Sequence, residues 1–398
     1  MNRNDPLVIS LVALGHATSH FMQLVLPPLF PLMREELGVT YATLGMVAAV
    51  FYAVSALLQP LAGFVVDRYG GRGVLLGGIT LMSLGTALMS LAHGPGLLLL
   101  GASLSGLGNS VFHPADFAIL NGRVSPPRLG YAFSAHGVAG SLGFAIAPVF
   151  SATLASLFDW HTALLAGAGV ACAVFLLLLF NMSQFTVLRE RQVEAKKTPF
   201  MNDARVLLSG RVVACFLFFA LHAAALTGLM SFGVAAMNEQ FGVAATLAST
   251  AVAAYMVGSA GGMLLGGFVA SRASRPDFVA AAGMVISACV MLSVAAGAIP
   301  GAGLPAALAA AGIAVGLTYP SRDLIVRAAT PPGATGRVYG FVYSGLDVGS
   351  FATPVFYGWL MDHSLPHGVF YAIFGFTLLA MFTVLQLPGR RPAAIQRI

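Results

Sequence analysis

The sequence predicts an all-α integral membrane protein, with twelve transmembrane helices in two pseudo-symmetric six-helix bundles. Three observations carry this expectation. Of 398 residues, 58% are hydrophobic and only 9% are charged, against about 25% charged in soluble domains. Apolar runs near the bilayer-spanning length of about 20 residues recur along the whole chain. One segment also occurs twice: Gly63-Phe-Val-Val-Asp67-Arg68-Tyr-Gly-Gly-Arg72 returns in degenerate form as Gly267-Phe-Val-Ala-Ser271-Arg272-Ala-Ser-Arg275, with Gly63 and Gly267 204 positions apart. A repeat at that distance means a duplicated bundle.

The spans are expected at 7–32, 42–66, 73–92, 97–121, 130–157, 162–181, 209–237, 243–270, 277–298, 303–326, 337–360 and 366–387. The first run is too long for the apolar stretch of a cleavable leader and carries His16 and His20, so it reads as a span. Spans 2 and 3 flank the first basic hairpin, and spans 8 and 9 flank the second. Span 4 ends in His113-Pro114-Ala-Asp116. Span 5 follows Pro126-Pro127 and Arg128 and carries His136. The polar segment 182–208 reads as a cytoplasmic linker joining residues 1–181 to residues 209–398. Its mixed charges argue against a lipid-binding polybasic patch. Span 7 carries His222. Span 10 ends in Tyr319-Pro320-Ser-Arg322-Asp323, and span 11 carries Asp347 between Gly345 and Gly349.

The repeat runs beyond the hairpins. Glu36-Leu-Gly-Val39 matches Gln240-Phe-Gly-Val243, Pro114 matches Pro320, and Arg128 matches Arg337, at offsets of 204 to 209. Near-constant offsets imply two parallel halves. The net charge is +6, which alone would suggest an anionic partner such as nucleic acid. Its distribution says otherwise. With the N-terminus placed in the cytoplasm, 18 of the 20 Lys and Arg fall on cytoplasmic segments, as the positive-inside rule requires for an even number of crossings. Both termini are therefore expected in the cytoplasm and no nucleic-acid partner is expected.

The first hairpin resembles the G-x-x-x-D-R-x-G-x-R signature between helices 2 and 3 of the major facilitator superfamily, and the second resembles its degenerate copy, with Ser271 where Asp67 stands. Within that superfamily, the N-terminal half resembles the fosmidomycin-resistance-type drug exporters. That likeness rests on His16 and His20, the Pro27-Pro28-Leu-Phe-Pro31 exit, Gln59-Pro60, and Phe112-His113-Pro114 with Asp116 shortly after. The resemblance implies a secondary transporter of a bacterial inner membrane, acting as a single chain on a small molecule. It also implies a conformational lock in the hairpins, made by Gly63, Asp67, Arg68, Arg72, Arg272 and Arg275. The plain alternative is that the basic residues only hold the loops inside. Gly63, Gly70 and Gly71 are expected to permit close helix approach and a tight turn.

Ionisable groups inside a bilayer are expensive and point to function. His16 and His20 share one helical face near mid-depth, and Gln23 continues their stripe. With His113, Asp116, His136, His222, Tyr319, Arg322, Asp323 and Asp347 they form the candidate set for substrate contact and proton handling, since histidine titrates near neutral pH and a desolvated acid can do so. A neutral histidine bonded to a neighbouring helix is the bland reading of each. Aligning Pro114 with Pro320 sets Asp116 against Arg322 in equivalent places, which suggests a pair across the two halves; Arg322 pairing locally or reaching the interface is the alternative.

The glycine-rich stretches lie within spans and lack a phosphate-loop ending. Cys172, Cys215 and Cys289 show neither zinc nor disulfide spacing. His113 and Asp116 alone do not make a zinc site, so neither metal nor cofactor is expected, and no nucleophile with its base appears. The sequence thus favours proton-coupled efflux of a drug-like or amphipathic compound over proton-coupled uptake of a metabolite such as a carboxylate, and either over an enzyme.

Overall fold

A computed structural model describes residues 4–125, 128–185, 208–272, 276–329 and 335–385. Every regular element among them is helical. Helix α1 (Asp5–Leu24) and α2 (Phe30–Leu37) are joined by a 3-10 turn at Pro27–Leu29. The first span was expected over 7–32, and its helix gives way at Pro27–Leu29 because adjacent prolines cannot supply the amides that continue it. Next come α3 (Tyr41–Tyr69) and α4 (Gly71–Met89), then α5 (Pro95–Asn109) and α6 (Phe112–Arg123), then α7 (Leu129–Leu157) and α8 (Trp160–Phe180). Span 4 is likewise two helices. Pro114 has no amide to offer the carbonyl of Ser110, and the helix gives way at Ser110 and Val111.

The second half contains α9 (Gly210–Thr227), a π-helical turn (Gly228–Phe232), α10 (Gly233–Phe241), α11 (Ala245–Arg272), α12 (Pro276–Ala295) and α13 (Leu304–Ala329). It ends with α14 (Thr335–Ala352), α15 (Pro354–Asp362) and α16 (Pro366–Leu385). Eleven helical stretches among the described residues are long and apolar enough to cross a membrane. The expected twelfth, span 11, is the pair α14 and α15, interrupted at Thr353 before Pro354. The repeat is visible in the backbone: α2 stops at Gly38 (φ 61°) and α10 stops at Gly242 (φ 63°), 204 residues on, both left-handed caps. Most of the 182–208 segment lies outside the described residues.

The chain forms two compact units. The first comprises Met1–Lys196, Met230–Ala253 and Phe351–Pro366; the second comprises Lys197–Leu229, Ala254–Ser350 and His367–Ile398. In the first unit, α1 is enclosed by α4, α6, α7 and α8. Its buried residues include Val8, Leu11, Val12, Gly15, His16, Ser19, Phe21 and Met22, on more than one face, as expected of a helix held inside a bundle. Glycines on α7 let α1 come close. A Cβ at Gly143 would stand 2.1 Å from the Ala17 carbonyl oxygen, and one at Gly140 would stand 3.0 Å from His16 Nε2. In the second unit, Val212, Phe218, Phe219, Ala280, Met284, Val338, Val342 and Ala380 form an apolar core that also buries Cys215, a packing role as expected for that cysteine.

The contact at Gly143 makes a clear prediction. Gly143→Leu forces α1 and α7 apart and costs on the order of 1–3 kcal/mol or more, read as a lower thermal midpoint of purified protein. Gly137→Ala, where an added Cβ meets nothing within 4 Å, does not lower the midpoint, since Ala favours a helix interior over Gly.

Candidate functional site

The kink before Pro114 turns α6 so that Asp116 faces α1 and α7. Asp116 is fully buried. Its Oδ2 lies 3.0 Å from His136 Nε2 and 3.1 Å from His16 Nδ1. The His136 contact has hydrogen-bond geometry. The His16 nitrogen points off line and has no hydrogen-bond partner among the described residues, and neither has Asp116 Oδ1. The rings of His16 and His136 stack with centroids 3.5 Å apart and planes at 22°. His20, one turn from His16, sits 4.4 Å away ring to ring and also touches Phe144 at 4.2 Å. His113 joins from α6, 5.3 Å from His16, and is exposed. Four imidazoles and one carboxylate thus converge where α1, α6 and α7 meet. His16 and His20 were expected on one face; the structure adds His113, Asp116 and His136 to it.

The cluster's composition decides its chemistry. A lone buried carboxylate inside a bilayer costs several kcal/mol. His136 offsets part of that cost through one charge-assisted contact. The remaining lone pairs, on imidazole nitrogens and carboxylate oxygen, can accept a proton, a donor group of a bound molecule or a cation. The expectation of no metal rested on His113 and Asp116 alone, and His16 and His136 now stand beside them.

Gln23 departs from the stripe. It donates to Asn109 Oδ1 at 3.1 Å, and Asn109 Nδ2 donates to Ser55 Oγ at 2.9 Å, a polar chain linking α1, α5 and α3. In the second unit, His222 Nε2 lies 3.2 Å from the Tyr319 hydroxyl. Arg322 stands over the rings of Phe219 and Tyr319 at 4.5 and 4.7 Å, a cation–π arrangement. His222 and Tyr255 line a cavity of about 10 Å³, room for roughly one water. Asp347 is half-buried on α14, with no ion pair among the described residues. The side chains of Asp67, Arg272, Arg275 and Asp323 lie outside the described residues. In the first hairpin, Gly70 makes the tight turn with φ 82°, and an added Cβ on Gly71 would touch the Ala115 carbonyl oxygen at 3.0 Å. Gly63 corrects its expectation: it faces open space, so close approach is not its purpose. Arg68 lies over the Tyr69 ring.

Three polar features went unread in the sequence. Asp362, at the end of α15, accepts the Tyr41 and Ala42 amides with its two oxygens at 2.7 and 2.8 Å. That is a carboxylate seated on the positive end of α3, beside the Thr40 side chain that caps the same helix. Nearby, Arg34 lies 3.9 Å from Glu239 and 4.8 Å from the Tyr41 ring centre, and these residues line a cavity of about 660 Å³. Glu36 accepts from Trp160 Nε1 at 2.7 Å and lies 2.8 Å from His161 Nε2. Isolated charges at helix ends were the only available signal, and they name no partner.

With the geometry in view, the comparisons decide the family. The sequence profile of the Major Facilitator Superfamily matches residues 12–235 and 215–397. The chain belongs to the Major Facilitator Superfamily. It is a multi-pass membrane transporter, as the hairpin motif implied. It is 25% identical over 272 residues to the fosmidomycin resistance protein of Escherichia coli (strain K12), covering 67% of this chain and 66% of that protein. It is 30% identical over 189 residues to the multidrug resistance protein MdtH of Proteus mirabilis (strain HI4320), 46% of each. The chain therefore spans just under two thirds of the first relative's length and under half of the second's. Among solved structures, a bacterial homologue of the human lysosomal transporter Spinster, inward-facing and occupied, superposes with a TM-score of 0.79 at 15% identity, over 97% of both chains. The nucleoside transporter NupG superposes at 0.78 and 15% identity, over 96% of this chain and 99% of that one. At such identity these two show the fold.

The Asp362 contact can be tested directly. Asp362→Ala removes two charge-assisted helix-cap bonds, each cap of this kind contributing about 0.5–2 kcal/mol. A cysteine placed at Thr40 is expected to react with a membrane-impermeant maleimide several-fold faster in the variant than beside an intact Asp362.

Proposed function

We propose that this chain is a proton-driven exporter of a small drug-like or amphipathic compound, in a bacterial inner membrane with both termini in the cytoplasm. The observation that carries the reading is an acid inside the bilayer of a superfamily transporter. Asp347 lies on α14, within the eleventh span expected from the sequence, half-buried and without an ion pair among the described residues. An ionisable group placed in a membrane span is expensive and points to function. The resemblance of this chain to a fosmidomycin resistance protein and to MdtH, both named for resistance, supports export. The bias of Lys and Arg supports the orientation.

In this reading the two halves alternate access to the two sides of the membrane, and Asp347 takes up a proton from outside and gives it up inside. The His113 edge, with Phe117 6.1 Å away ring to ring, offers the compound both a polar and an aromatic contact. His222, Tyr319 and Arg322 offer the corresponding set in the second unit. With the termini inside, the Leu24–Tyr41 end of the first unit faces outward. The Asp362 contact on α3 then helps keep the outer mouth shut, and the hairpin around Asp67, Arg68 and Arg72 serves the inner one. A single chain suffices for this cycle.

The test is transport in inverted membrane vesicles with an imposed pH gradient, in an efflux-deficient host. Candidate compounds are chosen by a resistance screen with the chain overexpressed. Export coupled to protons predicts that adding the compound releases protons from the vesicle lumen. Asp347→Asn is expected to lower gradient-driven accumulation by about 5- to 150-fold, the usual range of a coupling free energy, while exchange of compound without a gradient persists. Substrate-dependent alkalinisation outside intact cells would instead identify uptake and overturn the reading.

A further inference from the structure

The cluster on α1, α6 and α7 has a further capacity that export of a drug-like compound does not require. His16, His113 and His136 each present one ring nitrogen, and these atoms lie within 4.8 Å of one another. Asp116 Oδ2 lies about 3 Å from two of the rings. A tetrahedral ion held at about 2.0–2.1 Å from nitrogen spaces its ligands roughly 3.4 Å apart. A contraction on the order of 1 Å, within reach of rotation about the broad terminal torsion of histidine, would close the set on one ion.

Independent observations point the same way. His16 Nδ1 and Asp116 Oδ1 are buried and lack hydrogen-bond partners among the described residues, though buried polar atoms are nearly always satisfied. Asp116 is fully buried and His16 is only 3% exposed. Of the three histidines, His113 alone is exposed.

We propose that His16, His113, His136 and Asp116 bind one divalent transition-metal ion of the zinc class. Three imidazoles and one carboxylate suit zinc, cobalt or nickel. Calcium takes six to eight oxygens and magnesium an octahedron of them, which this set does not offer. Gly140 makes room for the site: any side chain there would press on His16 and His20, since even a Cβ would stand 3.0 Å and 3.2 Å from their rings. The site stands on geometry and does not depend on the direction of transport.

Tag-free protein, stripped with a chelator, is titrated with Co²⁺ and followed by visible absorption. The expected result is one ion per chain with the intense bands of four-coordinate cobalt, erased by added Zn²⁺. His136→Gln and Asp116→Asn are each expected to weaken binding at least about tenfold. His161→Gln, at the other histidine–carboxylate pair, leaves it unchanged. Should a substituted chain fail to fold, the unsubstituted chain still decides: Zn²⁺ is expected to protect the exposed His113 from diethylpyrocarbonate, read by peptide mass spectrometry. No cobalt band in the unsubstituted chain, a band that survives both substitutions, or no protection overturns the site. A chain that exports its compound yet takes up no ion overturns this inference alone and leaves the export reading standing.

Discussion

Lipid offers no hydrogen bonds, so a carboxylate placed inside a bilayer must find its donors within the chain. Asp116 is where this constraint is most severe, because none of its surface reaches solvent. Its nearest partners come from two other helices, and both must stand within about 3 Å. That distance requires α1 and α7 to touch backbone to backbone, which only glycine at 143 allows. It also requires α6 to leave the line of α5, which Pro114 brings about. A glycine, a proline and a buried acid far apart in sequence are therefore parts of one arrangement. If any of the three changes, the cluster loses its geometry before it loses its residues.

The duplication shapes the backbone more faithfully than the chemistry. Gly38 and Gly242 keep the same left-handed stop 204 residues apart. The prolines do not act alike, because Pro114 interrupts its helix whereas Pro320 lies inside an unbroken α13. Nor do the polar groups. The first unit gathers four imidazoles around a carboxylate, and the second sets one imidazole against a phenol and an arginine held over aromatic rings. Matching positions have thus diverged into a mainly acidic–imidazole site and a cationic–aromatic one.

Much of this was legible in the sequence. The spans, the repeat, the basic hairpins and the His16/His20 pair follow from periodicity and charge placement. The convergence of His113 and His136 on that pair did not, because nothing local states which faces of α6 and α7 turn toward α1. Gln23 was misplaced for the same reason. It lies one turn beyond His20, but it turns toward Asn109, a polar residue in an apolar run whose partner only packing reveals. Asp362 falls just beyond the expected end of span 11, and its role depends on α3 beginning 2.7 Å away. The spans expected at 7–32, 97–121 and 337–360 each consist of two helices that meet near prolines the sequence displays openly. Apolar length places a span but carries no information about where its joints fall.

One of those joints has a consequence for motion. Thr353 and Pro354 divide span 11 into two rods, α14 with Asp347 and α15 with Asp362. The division falls within a few residues of the border between the compact units, which runs after Ser350. A stiff column would transmit any tilt at one acid straight to the other. A column with an elbow lets the two rods tilt independently, so Asp362 can stay docked on the amides of Tyr41 and Ala42 whatever the pose of α14.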